Sequence, residues 1–553
     1  MKRLYLYILI SLFPLLSAHA QTYQWIEQAG GPQEDYSESI AVDDSGNAYI
    51  TGIFTDSCFF DGNVNIQSKG NGDIFLAKYD SSGTLLWLKT AGGANEDGGL
   101  GVCLDASRNV YITGFISDTA MFGIDSLFGN GLRDIFVAKY SNAGTLIWVK
   151  SAGGAGNDKG NSIAVDDSGH VFITGMFSDT VMFNSTFILA AQGMGDIFIA
   201  HLDTGLQWKW VTQAGGTGDD AGQDIALGMQ GEVYVTGYFY GQATFGDTTL
   251  NHNGDTTFYT HGESDAFLAR YNHDTGKIKW FTQAGGPGFD YGNGVAADGF
   301  GNIYITGSFF DSAYFAPASL SEDIGAGLSD IFLAKYDSSG NFLWVREAGS
   351  PLQDYGIGLA LDNAGNPHIT GAFSDTCSFG ALSLISGGSY DIFTAGYSPQ
   401  GDLWWVKQAG GTGDDRGYDI AISHPGADYI TGIFSESCNF ANFNIQSVVG
   451  SGDIFIAKIN STGESIREIA SDGKQLFVYP NPSSGSFNVL FQSTGNIQFK
   501  LFNPLGQNIR EETLFPSYPY TPIPITIDGV SPGMYFVEII TGKGIMRSKL
   551  IIR

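Results

Sequence analysis

Residues 42–54 read "VDDSGNAYITGIF", and residues 165–177 read "VDDSGHVFITGMF". In both copies an Asp-Asp-Ser-Gly cluster, typical of a tight turn, leads into a run of aromatic and β-branched residues, typical of a strand. The same turn and strand therefore recur 123 residues apart. Such self-similarity indicates the building unit of a repeat protein rather than a single functional loop.

Three phrases mark this unit, and each occurs seven times. The first ends in Thr-Gly, with its glycine at Gly52, Gly114, Gly175, Gly237, Gly307, Gly371 and Gly432. The second is Asp-Ile-Phe or Asp-Ala-Phe before an alternating run, and it starts at Asp73, Asp134, Asp196, Asp265, Asp330, Asp391 and Asp453. The third places a tryptophan shortly before a Gly-Gly or Gly-Ser pair, at Trp25, Trp87, Trp148, Trp210, Trp280, Trp344 and Trp405.

Within one unit, four short β-branched or aromatic runs joined by turns predict four antiparallel strands, as in a propeller blade. The expected fold is all-β, with a seven-bladed β-propeller over residues 21–459. Because no tryptophan strand follows Asp453, we expect the N-terminal strand of Trp25 to complete the last blade and remove the free sheet edges. One position of the first strand, called the small slot, holds only small residues, which predicts that this strand is the innermost of each unit. These residues are Ala41, Cys103, Ala164, Ala226, Ala296, Ala360 and Ala421.

The repeated phrases resemble the β-propeller repeat family known as SBBP, which shares the D-x-x-G-N-x-Y-[IV]-T-G pattern. The resemblance covers about residues 22–459. It implies the propeller fold, but that family is not associated with a single activity.

The N-terminus predicts an export signal over residues 1–20. Lys2 and Arg3 precede an apolar run that ends near Leu16, and Ala18-His19-Ala20 supplies the small residues of a cleavage site. No later segment has enough uninterrupted apolar residues to predict a membrane-spanning helix. We therefore expect the mature protein to be exported and to have no transmembrane segment.

The C-terminal part changes pattern after a polar linker at residues 460–474. Residues 475–553 carry alternating strands bounded by Pro, Asn and Gly, which predict a small β-sandwich. Their motifs resemble the type A C-terminal sorting domain of the type IX secretion system, on Pro480, Asn481, Pro482, Gly485, Pro532, Gly533, Tyr535 and Lys549. The resemblance implies a Bacteroidota-type source, the type IX secretion machinery as partner, and delivery to the cell surface or the medium.

Charge and cysteine usage limit the remaining possibilities. The net charge of −30 disfavours a nucleic-acid partner, since such a surface repels phosphates. Cys58, Cys377 and Cys438 share one slot of the repeat, and Cys103 occupies the small slot of the first strand. Neighbouring blades lie too far apart for disulfides between these positions, so we expect four small buried thiols in a monomeric protein.

One aspartate per unit precedes the first strand, and this set is the candidate binding ring at the channel mouth: Asp35, Asp97, Asp158, Asp220, Asp290, Asp354 and Asp415. The Asp73 series should lie on the same face, because it precedes the third strand. Either series can bind a cation such as calcium or a polar ligand, or it can accept hydrogen bonds from turn N–H groups. Occurrence in every blade favours the structural interpretation.

Other chemistry has weaker signals. The string from Gly216 to Ala221 fits G-x-G-x-x-A, but it occupies the ordinary crossing between blades and carries two carboxylates. The insert of unit four holds His252, Asp255, His261 and Glu263, whose spacing matches no standard metal site. Standard hydrolase and P-loop motifs do not occur, so the sequence predicts no catalytic residues and no required cofactor.

Three functions remain open at this point. The first is a non-catalytic propeller for binding or adhesion, recognising glycan or protein outside the cell. The second is a secreted polysaccharide hydrolase or lyase that uses carboxylates at the channel mouth. The third is a structural component of the surface.

Overall fold

The computed structural model describes residues 20–228, 231–246, 257–315, 318–321, 328–423, 426–448 and 452–462 of the repeat region. In the C-terminal region it describes residues 476–479, 486–491, 497–502, 508–516, 523–527, 533–541 and 544–552. All regular structure in these ranges is β-strand, as predicted. The chain forms two compact units, Met1–Thr462 and Gly463–Arg553.

Four strands of each repeat pair in the order first, second, third, fourth, all antiparallel. The first strands are Tyr36–Val42, Gly98–Leu104, Lys159–Val165, Ala221–Leu227, Tyr291–Ala297, Tyr355–Leu361 and Arg416–Ile422. The second strands are Ala48–Phe54, Val110–Ile116, Val171–Phe177, Val233–Phe245, Ile303–Phe309, Pro367–Phe373 and Ala427–Ser435. The third strands are Asp73–Tyr79, Asp134–Tyr140, Asp196–Leu202, Thr257–Tyr271, Asp330–Tyr336, Asp391–Tyr397 and Gly452–Thr462.

Six fourth strands follow their third strands along the chain: Leu85–Ala91, Leu146–Gly154, Trp208–Gly216, Ile278–Ala284, Phe342–Ala348 and Leu403–Gly411. The seventh position is taken by the N-terminal strand Ala20–Gly30, which pairs antiparallel with Gly452–Thr462 from Ala20 opposite Thr462 to Ala29 opposite Ile454. The predicted pairing of the Trp25 strand with the Asp453 strand is therefore present.

The seven first strands contact one another in sequence, and the first strand of unit seven contacts that of unit one. A part-buried hydrogen bond crosses this last junction, where Oδ2 of Asp419 accepts the N–H of Ile40 at 2.9 Å. The indole N–H of Trp25 likewise donates to the carbonyl of Ser81 at 3.1 Å. Unit seven is thus joined to unit one by the same kinds of contact that join consecutive units.

The core lies between neighbouring sheets. One apolar cluster contains Tyr49 and Ile74 of unit one together with Ile112 and Phe136 of unit two, and similar clusters lie between the other neighbours. The small-slot residues join these clusters. Their size allows neighbouring first strands to approach closely, as expected for the innermost position.

A short hairpin connects the second and third strands. Its strands are Ser57–Phe60 with Val64–Gln67, Thr119–Phe122 with Asp125–Phe128, Thr180–Met182 with Ile188–Ala190, Ser312–Phe315 with Ala318–Ser321, Thr376–Phe379 with Leu382–Ile385, and Ser437–Phe440 with Phe443–Gln446. In unit four the long strands Val233–Phe245 and Thr257–Tyr271 pair directly through the same region. A buried phenylalanine anchors each connection against the Asp-Ile-Phe strand, as in the Phe60–Phe75 contact at 5.3 Å between ring centroids.

The three cysteines that share one slot, Cys58, Cys377 and Cys438, are fully buried, and Cys103 is partly exposed. All four are free thiols. Burial raises the pKa of each thiol, so none is activated as a thiolate.

The C-terminal unit contains two antiparallel sheets. Leu476–Tyr479, Ser486–Phe491 and Ile523–Thr526 form one sheet. Asn508–Leu514, Ile497–Phe502, Gly533–Thr541 and Gly544–Ile552 form the other. One apolar cluster includes residues of both sheets, among them Phe487, Phe499 and Val537.

We expect deletion of residues 21–30 to lower the melting temperature strongly and to cause association. Without these residues the strand Gly452–Thr462 loses its partner on one side and presents an unpaired edge. Thermal unfolding and size-exclusion chromatography would measure the effect. An unchanged melting temperature in a monomeric truncated protein would contradict this role of the N-terminal strand.

Candidate functional site

The candidate ring of seven aspartates is buried, with each side chain at most 1 % exposed. In Asp220, Oδ1 accepts the N–H of Tyr240 at 2.8 Å and Oδ2 accepts the N–H of Gly216 at 2.6 Å. The contact to the residue twenty positions later recurs in all seven units. Each aspartate therefore ties the start of a first strand to the end of the second strand in the same unit.

A second buried aspartate, from the Asp73 series, lies beside six members of this ring. Asp196 is the neighbour of Asp220, and Gly215 lies between them with φ of +130°. A Cβ on Gly215 would lie 2.9 Å from Oδ2 of Asp220 and 3.0 Å from Cγ of Asp196. Only glycine fits at this close approach between two carboxyl groups.

Burial is the main cause that raises the pKa of the ring carboxyls, to about 7 in six of them and to about 8 in Asp290. Two backbone N–H groups partly offset this shift in Asp220, while the adjacent Asp196 adds to it. The ring thus lies beneath the surface. In every member Oδ1 accepts a backbone N–H, and in Asp97, Asp220, Asp290 and Asp415 Oδ2 accepts a second one. Binding of a ligand or of calcium by these aspartates stays a prediction.

An open cavity of about 540 Å³ lies where the seven first strands meet, and all seven contribute to its lining. In each first strand the register shifts by one residue, as between Ser37 and Ser39. Such a bulge redirects the extra side chain. The seven bulge residues all line the cavity: Glu38, Leu100, Asn161, Gln223, Asn293, Ile357 and Tyr418.

One part of the cavity rim is aromatic. Tyr238 and Tyr291 meet edge to face at 5.0 Å between ring centroids, and the hydroxyl of Tyr291 lies 3.2 Å from that of Tyr240. Tyr355 and Arg416 also line the cavity. The Arg416 guanidinium is held by Asp414 at 2.7 and 2.8 Å.

Charged groups lie elsewhere around the cavity. Burial raises the pKa of Glu38 to about 7, with Lys159 acting in the opposite direction. Burial also raises the pKa of Asp419 to about 7, but both its oxygens accept hydrogen bonds, from Ile40 and Ser39 and from Ile420. Asp419 therefore holds neighbouring first strands together, whereas Glu38 is the bulge residue of its strand.

Sequence reasoning did not identify the bulge residues. Their signal was nonetheless present, because the position three before the small slot varies from glutamate to tyrosine within an otherwise regular repeat. The bulge that points this position toward the cavity leaves no distinct residue type in the sequence.

The remaining candidates are dispersed. His261 contacts Asp265 at 2.6 Å, Glu263 is exposed, and His252 and Asp255 lie outside the described residues. Of the sorting residues, Gly533 begins a strand, Tyr535 is buried in the C-terminal core, and Lys549 lies in the last strand opposite Phe536. Pro480, Asn481, Pro482, Gly485 and Pro532 are outside the described ranges, as are residues 1–19 of the expected export signal.

Comparison with protein families gives two matches. Residues 477–553 match the secretion system C-terminal sorting domain, and residues 24–52 and 279–308 match the β-propeller repeat. The chain carries SBBP-type β-propeller repeats and a type IX sorting domain. The sorting domain indicates export through the type IX secretion system to the cell surface or the medium, and implies contact with that machinery.

Curated relatives are distant and longer. An uncharacterized WD repeat-containing protein of Acanthamoeba polyphaga mimivirus is 23% identical to this chain. The aligned region covers 69% of this chain and 33% of that protein. The regulatory protein FlaEY of Caulobacter vibrioides is 24% identical over 68% of the chain, which spans 40% of FlaEY. The chain thus covers well under two thirds of either relative.

Solved structures with some likeness include a puromycin hydrolase, at 11% identity with a TM-score of 0.35, covering 85% of this chain and 61% of that one. A Synechocystis apocarotenoid oxygenase is 9% identical with a TM-score of 0.33, and the match covers 90% of this chain and 97% of that one.

The part of the chain that the structure describes contains no helix with the length and apolar character of a membrane span.

Asp220→Ala should lower the free energy of unfolding by about 1 to 3 kcal/mol, because it leaves two buried N–H groups without an acceptor. Asp220→Asn keeps one acceptor and should cost less. The equivalent change at Asp97 should cost a similar amount, because both its oxygens also accept backbone N–H groups, whereas Asp354→Ala removes one such acceptor and should cost less. Asp219→Ala is the control at the less buried neighbouring position. Urea unfolding measures these differences. A melting temperature that falls on chelation and recovers with calcium would instead favour a cation site.

The unfolding free energy should decrease as pH rises from about 4 to about 8. An aspartate in an unfolded chain has a pKa near 3.9, whereas Asp290 in the fold has one of about 8. The folded state holds the proton that the unfolded chain releases, so its stabilising effect is lost across this window. Asp290→Asn should therefore gain stability relative to the parent as pH rises, with Asp219→Asn as control. A pH-independent difference in thermal unfolding would contradict the raised pKa.

Proposed function

We propose that this is an exported, non-catalytic binding protein whose central cavity takes a glycan. The proposal includes a closed ring of seven blades over residues 21–459, an N-terminal strand that completes the last blade, and a C-terminal β-sandwich over residues 475–553 that is used for sorting. Continuous contact around the seven first strands supports the ring. The export indicated by the sorting domain supports a ligand outside the cell.

The bulge residues are the observation that carries this proposal. The repeat keeps its strand phrases and buried aspartates nearly constant, while the bulge position that lines the cavity takes six different residue types in seven units. A structural core would need only a shape that fits, whereas a specific polar ligand needs different groups in different directions. Asn161 donates to the carbonyl of Gly222 at 3.0 Å and to Oε1 of Gln223 at 3.1 Å, and Asn293 donates to the carbonyl of Gly356 at 2.8 Å. These amides therefore join neighbouring first strands, and their remaining donors and acceptors are available to hydroxyl groups.

The aromatic part of the rim adds to the preference for a glycan. Tyrosine offers an apolar ring together with a hydroxyl, which suits a sugar with one apolar face and several hydroxyl groups. The cavity volume of about 540 Å³ lies within the usual range for small ligands. Its open shape would allow the end of a longer chain to enter.

The hydrolase or lyase alternative depends on Glu38. Its pKa of about 7 would suit a general acid, and it is a bulge residue of the cavity. The other cavity carboxyl groups, on Asp224 and Asp419, accept hydrogen bonds from backbone N–H groups of neighbouring strands. Such use makes them less suited to act as a catalytic partner.

A glycan array on the purified full chain should identify a ligand, and calorimetry should then measure its affinity. The double variant Tyr355→Ala, Tyr418→Ala should bind at least about tenfold more weakly, because it removes two side chains from the cavity lining. Trp404→Ala is the control, since Trp404 is 44% exposed and belongs to a fourth strand away from the cavity.

Unchanged affinity in the double variant would contradict binding at this cavity. Turnover of the bound glycan that disappears in Glu38→Gln would favour the hydrolase or lyase instead. Absence of any glycan ligand would leave a protein ligand or a structural surface component as the better proposal.

A further inference from the structure

Three histidines and one aspartate converge where the turns of units three and four meet. His170 precedes the second strand of unit three, His201 lies in its third strand, and His273 follows the third strand of unit four. The ring centroids lie 5.0 Å apart for His170 and His201, 5.5 Å for His201 and His273, and 6.1 Å for His170 and His273. These residues with Asp166 are called the histidine cluster below.

Asp166 divides its oxygens between the turn and the cluster. Oδ1 accepts the N–H groups of Ser168 at 2.8 Å and His170 at 2.9 Å. Oδ2 lies 3.0 Å from Nε2 of His273 and 3.4 Å from Nδ1 of His170. One ligand atom from each of Asp166, His170 and His273 lies within 4.8 Å of the others, a spacing that allows a shared metal ion.

His201 provides an independent observation. Its side chain is 4% exposed, and neither ring nitrogen has a hydrogen-bond partner. An imidazole buried without partners is costly and therefore requires an explanation. It packs on Phe172 at 4.5 Å and beside the other two imidazoles, so a ligand held by the cluster would satisfy one of its nitrogens.

The hydrogen-bond donors to the turn aspartate differ between unit three and the other repeats. At the position of His170, four units have asparagine, and its amide donates to the turn aspartate, as Asn47 does to Oδ2 of Asp43 at 2.8 Å. At the position of Phe172, unit one has Tyr49, whose hydroxyl also reaches Oδ2 of Asp43 at 3.3 Å. Unit three loses both donors, which leaves Oδ2 of Asp166 facing only imidazole rings.

The two remaining positions have changed as well. Where unit three has His201, four other units have lysine, and Lys78 is an example. Where unit four has His273, unit two has Asn142, and the carbonyl of each accepts the indole N–H of the preceding unit's tryptophan. Other junctions carry residues such as Lys78 and Asn142 at these positions. Among the described residues, only the junction of units three and four has three imidazoles around one carboxylate instead.

We propose that the histidine cluster binds a divalent transition metal of the Zn²⁺ class, with Asp166, His170, His201 and His273 as ligands. Two imidazoles that bind one tetrahedral ion at about 2.0–2.1 Å have ring centroids roughly 5 Å apart, close to the spacing observed. His201 stands beside the other three, and metal binding would turn one of its nitrogens toward the ion. Imidazole nitrogen with a carboxylate oxygen suits zinc better than calcium.

Two features around the cluster support this assignment. Nδ1 of His273 lies 2.9 Å from Oδ1 of Asp274, the carboxylate contact that orients many metal-binding histidines. Asp166 and His273 also line an open cavity of about 810 Å³, which gives an ion access from solvent. The ligands come from units three and four, so the metal would join two neighbouring units. Asp166 follows the C-terminal end of a first strand, whereas the bulge residues of the central cavity lie near the N-terminal ends of these strands.

Calorimetric titration of the chelator-treated full chain with ZnCl₂ tests the proposal. We use the other repeats to choose variants with residues that the fold already accepts at these positions: His170→Asn, His201→Lys and His273→Asn. Each should lose one zinc equivalent or weaken that site at least about tenfold. Asp274→Asn should weaken it about 10-fold to 100-fold, because it removes the carboxylate that contacts Nδ1 of His273.

His368→Tyr is the matched control, since it restores the tyrosine of the other repeats at an imidazole that pairs with Asp428 outside the cluster. It should leave this site unchanged. Co²⁺ added to the parent should give the visible absorption of a four-coordinate nitrogen and oxygen site, and His170→Asn should abolish it. No saturable zinc binding by the parent, or equal binding by the parent and all three cluster variants, would overturn the proposal.

Discussion

The second and third strands of each unit are buried on both faces, and this constraint shapes the whole repeat region. In unit one every residue of Ala48–Phe54 and Asp73–Tyr79 is buried. A sheet that is apolar on both faces must be covered by another sheet on each side. An open row of sheets would leave the outer faces of the first and last sheets exposed to water. Contact from each unit to the next, and from unit seven to unit one, covers these faces as well.

This constraint separates the parts of the unit that must stay alike from those that can differ. Residues between sheets, such as Phe60 and Trp25, form the core and its cross-unit hydrogen bonds, so their replacement would disturb packing. A bulge residue such as Ile357 lines the open cavity, so its replacement disturbs less of the packing. The same freedom exists in the turns, where unit three carries the histidine cluster.

Most of the fold could be predicted from the sequence because a sevenfold repeat reports the same local structure seven times. The pairing of the Trp25 strand with the Asp453 strand followed from position alone. The candidate site was less predictable: Asp220 accepts the backbone N–H groups of Gly216 and Tyr240, and its burial depends on how closely neighbouring units pack. His170 and His273 are distant in sequence, and only the contact between two turns brings them together.

The pairing of Ala20–Gly30 with Gly452–Thr462 also affects when the protein can fold. A contact across more than four hundred residues has a high entropic cost of closure and forms slowly. The first strand to emerge has to remain without its partner until almost the entire repeat region is available. During export the ring would therefore be completed last, and until then unpaired edges at both ends would be open to association with other chains.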